Sequence, residues 1–137
     1  MLKYKTSVKL HQTDAAGLLF FAHQFTICHD AYELFMESID ADFATLLGSK
    51  NYQLAIVHAE SDFKRALFVG DRLRTELIIG RLGESSYTVN YELFDANNTI
   101  VGTASTVHVC VDKKSRESRS LPEDLKIQLK KHSQPSD

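Results

Sequence analysis

Residues 11–24, HQTDAAGLLFFAHQ, bring a carboxylate, a glycine and two aromatic rings into close succession. A carboxylate is ionised at neutral pH, so it can attack an electrophilic carbonyl directly or act as a weak base on water. A helix that begins just after it adds free backbone N–H groups and the positive end of a dipole, which favour negative charge on a carbonyl oxygen. Asp14 is therefore the candidate nucleophile or general base. Gly17 is the turn residue that lets the chain double back so that Asp14 faces the helix start. His23 and Gln24, close to that start, are candidates for contact with a substrate. Other roles stay open: an aspartate in a turn also bonds the turn's own amides, and Phe20 and Phe21 suit a core equally well. Glu33 is a second carboxylate, one turn beyond His29, and it also reads as a solvent-facing helix residue.

Positioning these groups falls to a helix and a sheet. Phe25, Cys28, Tyr32, Phe35, Met36 and Ile39 follow a three-and-four spacing, which predicts a helix over residues 22–39 with one buried face. FATLL, between Asp42 and Gly48, reads as a further helical turn. Before the helix, Tyr4, Thr6, Val8 and Leu10 alternate with Lys5, Ser7, Lys9 and His11, predicting a first strand over 3–11. After it, a strand over 53–63 sets the small series Ala55, Val57, Ala59, Ser61 and Phe63 towards the helix. A third strand carries Leu73, Thr75, Leu77 and Ile79 on one face, and a fourth Tyr87, Val89, Tyr91 and Leu93. Asp95, Asn97 and Asn98 signal a hairpin into a fifth strand over 100–111. Pro122 suits the first turn of a short C-terminal helix, and the tail from about 132 is expected to be loose. The fold class is α+β, an antiparallel sheet of about five strands with one long helix across its concave side.

The whole chain sets limits. Its 137 residues fit one domain, and a net charge of −2 argues against general nucleic-acid binding. Apolar runs are short and interrupted, and Met1 leads into a polar strand pattern, so neither a membrane span nor a signal peptide is expected. The expected location is cytoplasmic. Cys28 and Cys110 lack close spacing and read as reduced core thiols. His11, His23, His29 and His58 show no metal-ligand spacing, so no metal is expected.

TDAAGLLFFAHQF resembles the hotdog-fold acyl-CoA thioesterases of the 4-hydroxybenzoyl-CoA thioesterase type, which have an Asp, two small residues, Gly and then aromatics at the helix entrance. HDAYELFM, residues 29–36, is similar to the branch that hydrolyses 1,4-dihydroxy-2-naphthoyl-CoA in menaquinone or phylloquinone synthesis. IVHAESDFKRALFVGDRL and TVHVCVDKKSRESRSLP extend the resemblance over most of the chain. It implies that Asp14 attacks the thioester carbonyl or activates water, and that the backbone N–H of Phe21 polarises that carbonyl. Some relatives acting on aliphatic acyl-CoAs carry histidine where this chain has Phe21, so the aromatic walls Phe20 and Phe21 point to a flat aromatic acyl group. No cofactor is implied. Coenzyme A carries phosphates, for which Lys113, Lys114, Arg116 and Arg119 form one basic patch and Lys64 and Arg65 another. The resemblance also implies a homodimer that joins two sheets, often assembled into a homotetramer with sites between subunits. The rivals are 4-hydroxybenzoyl-CoA, a short aliphatic acyl-CoA or an acyl carrier protein as substrate and, in another class, a non-catalytic acyl-CoA-binding module.

Overall fold

The computed structural model describes residues 2–133. In chain order the elements are β1 (Leu2–Ser7), a short 3-10 turn (Leu10–Gln12), α1 (Phe21–Ser38), α2 (Phe43–Ser49), β2 (Tyr52–Phe63), β3 (Arg72–Leu82), β4 (Ser86–Phe94), β5 (Ile100–Asp112) and α3 (Glu123–Lys131). The five strands form one antiparallel sheet in the order β1-β3-β4-β5-β2. The helix α1 packs against β1, β2 and β3. This is the α+β arrangement expected from the sequence, one long helix carried by an antiparallel sheet.

Local chemistry explains most of these elements. The apolar residues of β3 and β4 alternate as period two requires, and Leu73, Leu77, Ile79, Tyr87, Val89, Tyr91 and Leu93 are all buried in the core. Between β4 and β5, Asp95 Oδ1 accepts from the N–H groups of Asn97 and Thr99 at 2.9 and 3.0 Å, while Asn98 takes φ 61°. An aspartate followed by asparagines is therefore the hairpin signal it resembled. The face of α1 towards the sheet is Gln24, Ile27, Cys28, Ala31, Tyr32, Phe35 and Met36. Gln24, Ile27 and Ala31 widen the stripe that the larger side chains marked.

Three expectations need correction. The first strand ends at Ser7 and does not reach residue 11, because Val8 turns its N–H to Asp71 O and its carbonyl to Gly70 N–H. Leu10 is consequently 75% exposed, although it shares parity with the buried Val8. In β2, pairing with β5 slips between Ile56 and His58, leaving Val57 as a bulge. The inward face is thus Leu54 and Ile56 before the bulge, then Ala59, Ser61 and Phe63 after it, and only the second half of the expected series faces the helix. Finally, His132 and Ser133 are held: Ile79 N–H donates to His132 O at 3.1 Å, and Ser133 bridges Ile79. Residues 134–137 of the expected loose tail lie outside the described residues.

Candidate active site

The turn before α1 is closed by Asp14 N–H donating to Leu18 O at 2.8 Å and Gly17 N–H to Asp14 O at 3.0 Å. Gly17 sits at φ +78°, a conformation that disfavours any side chain. Asp14 Oδ1 accepts from the N–H groups of Ala16 and Leu18 at 2.9 and 3.2 Å. The carboxylate therefore braces its own turn with one oxygen, while Oδ2 has no protein partner among the described residues. The bracing and reactive readings of Asp14 are compatible, since each needs a different lone pair.

The turn is pinned to the loop after β2 by Leu19 N–H to Leu67 O at 2.7 Å and Val69 N–H to Gly17 O at 3.1 Å. Phe20 N–H donates to Gln12 O, and Phe20 stands at the helix cap with no side-chain bond. Among the described residues, the N–H groups of Phe21 and Ala22 meet no acceptor, so the first turn keeps its capacity for an oxyanion.

Asp14, Phe20, Phe21 and Gln24 line one side of a half-open cavity of about 480 Å³, and Phe63, Lys64 and Arg65 line the other. The rings of Phe20 and Phe21 lie 4.7 Å apart, and Phe63 meets Phe21 edge-on at 6.5 Å. The structure thus brings together Asp14, Gly17, Phe20, Phe21 and Gln24. His23 is not on the cavity: its Nδ1 lies 3.3 Å from Thr26 Oγ1. Gln24 is buried, with its amide nitrogen committed to Ser61 Oγ at 2.7 Å and Asp62 O at 3.1 Å. Gln24 thus lines the cavity as an anchored side chain, its amide nitrogen held by the neighbouring strand. Phe63 was missed as a wall, although it directly precedes the basic pair Lys64 and Arg65.

Of the two basic patches, Lys64 and Arg65 reach this cavity within one chain. Lys113, Lys114, Arg116 and Arg119 follow β5 at the opposite end of the β2–β5 ladder, where Tyr52 pairs with Asp112. There Lys113 Nζ donates to Leu47 O, Arg116 to Gln53 Oε1, and Arg119 lies 3.6 Å from Asp112. At about 3.3 Å per residue, β2 separates that patch from Phe63 by roughly 36 Å. Glu33 is exposed and pairs with His29 at 3.7 Å, more than three helical turns from Phe21. His58 and Glu60 form an exposed pair at 3.9 Å. No cluster with metal-ligand geometry occurs among the described residues, and no helix there is long and apolar enough to cross a membrane.

A second polar cluster lies deeper under α1, and sequence reasoning missed it. The Tyr32 and Tyr87 hydroxyls share a hydrogen bond, the His108 ring stacks on Tyr87 at 5.0 Å, and Thr106 Oγ1 lies 2.8 Å from His108 Nε2. Burial pushes the Tyr32, Tyr87 and Tyr91 hydroxyls well up. Burial, and secondarily the nearby His29, brings His108 down to about 4. These groups are uncharged at neutral pH and hold the helix to the sheet.

Comparison with known proteins places this geometry. A family model described as the thioesterase-like superfamily matches residues 8–129. The 1,4-dihydroxy-2-naphthoyl-CoA hydrolase of Nostoc punctiforme is 37% identical over 122 residues, covering 89% of this chain and 82% of that protein. The protein of the same description from Crocosphaera subtropica is 35% identical, covering 88% and 89%. The crystal structure of a 1,4-dihydroxy-2-naphthoyl-CoA thioesterase from Synechocystis superposes with a TM-score of 0.88 at 29% identity, over 93% of this chain and 94% of that one.

Proposed function

Because the chain belongs to the thioesterase-like superfamily, whose model spans residues 8–129, we propose that it hydrolyses 1,4-dihydroxy-2-naphthoyl-CoA to the free acid and coenzyme A. The observation that carries this reading is one aromatic-walled cavity lined both by Asp14, whose Oδ2 has no partner among the described residues, and by Phe21 at the helix start. The relatives described above favour the acyl group, and the rings of Phe20, Phe21 and Phe63 suit a flat bicycle.

Two routes share this geometry. In the first, Asp14 Oδ2 forms a bond to the thioester carbon while the N–H groups at the helix start take the developing oxyanion. Collapse breaks the carbon–sulfur bond, the thiolate takes a proton from solvent, and water then hydrolyses the mixed anhydride to regenerate the carboxylate. In the second, Asp14 accepts a proton from a water that attacks the same carbon, and the thiolate leaves with that proton. Lys64 and Arg65 at the cavity edge would meet the phosphates of coenzyme A.

The active assembly is a homodimer, further paired into a tetramer, acting in the cytoplasm in menaquinone or phylloquinone synthesis. In support, β2 is an edge strand on which Ile56 and Val57 are 46% and 62% exposed. Antiparallel pairing of β2 with its copy would set the Tyr52 end of one chain beside the Phe63 end of the other. The basic loop 113–119 of the copy would then approach the cavity that it cannot reach within its own chain.

Thiol release from a panel of aromatic and aliphatic acyl-CoAs, with wild type and Asp14→Asn side by side, tests this reading. Fast release from the dihydroxynaphthoyl thioester, lost in a folded Asp14→Asn, is the expected result. Preference for another acyl group would reassign the substrate, and no release at all would indicate a binding module.

A further inference from the structure

The seam between α1 and β2 holds two cavities. The outer one contains Asp14, Phe21 and Phe63. The inner one, further along the seam from the helix start, is about 290 Å³ and also half-open, with the exposed His29 and Ile56 at its rim; Phe25, Cys28 and Ala59 wall it, and Tyr91 and Thr106 also line it. Along the seam the helix and the strand run in opposite directions: Phe21 meets Phe63, then Gln24 meets Ser61, then Phe25 and Cys28 share the inner cavity with Ala59 and Ile56. Gln24 and Ser61 therefore stand between the two spaces.

This barrier is fixed on every side. Gln24 is 1% exposed, and its amide nitrogen donates both to Ser61 Oγ and to Asp62 O. Ser61 Oγ in turn donates to Thr103 O at 2.8 Å, so the acceptor cannot rotate away freely. The amide also lies flat on Gly102, where an added Cβ would come within 2.7 Å of Nε2 and 2.8 Å of Oε1. Glycine at 102 is what gives the amide its seat. Such a buried amide, bonded through both donors, resists displacement by an entering apolar group, which could not replace its hydrogen bonds.

We propose that Gln24 is a specificity-determining residue that ends the acyl pocket: the Gln24–Ser61 contact confines the acyl group to the outer cavity and denies long alkyl chains the inner one. A compact aromatic acyl group needs only the outer space, whereas an extended alkyl chain must continue past Gln24. This inference rests on the acyl-thioester reading of the outer cavity and adds the limit on acyl length.

The test is the ratio of kcat/KM for decanoyl-CoA to that for an aromatic acyl-CoA. Truncation in Gln24→Ala joins the cavities, and the ratio is expected to rise about tenfold or more. Gln24→Ser should move in the same direction, which covers the case where the alanine variant folds poorly. Gln24→Met, similar in length and bulk, refills the barrier and should keep the wild-type ratio. A folded Gln24→Ala with an unchanged ratio, or Gln24→Met rising as far as Gln24→Ala, would overturn the proposal. Calorimetric binding of the non-hydrolysable thioether S-decyl-CoA gives a readout independent of turnover. Tighter binding by Gln24→Ala than by wild type supports the barrier even if no thioester is cleaved, and equal binding refutes it. Failure of the thioesterase reading appears separately, as absence of wild-type thiol release from every substrate.

Discussion

The first turn of α1 and its middle both bring polar side chains against the sheet, with opposite outcomes. At the first turn, Asp14 keeps one carboxylate oxygen unpaired beside a half-open cavity. Two to three turns further in, Tyr32, Tyr87, Thr106 and His108 are sealed from solvent and bonded or stacked upon one another. Reactivity needs a lone pair that a substrate can reach, so the first region leaves a group unsatisfied at its surface. Anchoring needs groups that stay uncharged and fixed, so the second region pairs its hydroxyls and His108 Nε2 with one another, although His108 Nδ1 stays buried without a partner among the described residues. The two are coupled, because the buried cluster holds the helix whose start forms the site.

That contrast can be broken at either region. The largest effect is expected from Asp14→Asn, which keeps an amide oxygen to brace the turn but removes the charge. Thiol release should fall about 10²- to 10⁴-fold, with the melting temperature almost unchanged. His108 is next. Its pKa is held below the ordinary value of about 6.5, so the unfolded chain binds the extra proton. The stabilising contribution is present above pH 6.5 and is lost as pH falls towards 4, amounting to roughly 3 kcal/mol across that window. Melting curves between pH 4 and 7 should show this slope in the wild type and a flatter one in His108→Gln. Tyr32→Phe leaves the Tyr87 hydroxyl without its partner and should cost about 1–3 kcal/mol, with kcat little changed. A kcat loss as deep as that of Asp14→Asn would mean the cluster does more than anchor. The smallest effect belongs to Gly17→Ala. No atom crowds an added Cβ there, so only the left-handed backbone resists, at about 1 kcal/mol, with a partial fall in kcat as Asp14 shifts.

Much of the fold and half of the site were legible. The faces of β3 and β4, the stripe of α1, the Asp95 hairpin and the turn from Asp14 to Gly17 all depend on interactions within a few residues, which period and residue type report directly. The bulge at Val57 was not legible, because it exists only in the pairing of β2 with β5. In β5, Thr106, His108 and Cys110 face the core while Val107, Val109 and Val111 face outward and stay only half-buried. Hydrophobicity gives no reason for that choice. It follows from Tyr87 and Tyr32, which offer the His108 ring a stacking surface, and from the hydroxyl of Thr106.

For the site, sequence alone determined which residues come together at the helix start. An aspartate, a glycine turn and a helix start are contiguous in the chain, so their proximity is secured by local geometry. Only the tertiary structure decided what surrounds them. It fixed Gln24 as a buried, anchored wall of the cavity, because Ser61 and Gly102 meet it from two other strands. It chose Phe63, Lys64 and Arg65 as the facing wall and carried the basic loop 113–119 to the far end of the ladder. Those outcomes join residues about forty to eighty positions apart, and strand order and register, which set them, arise only when the whole sheet closes on its helix.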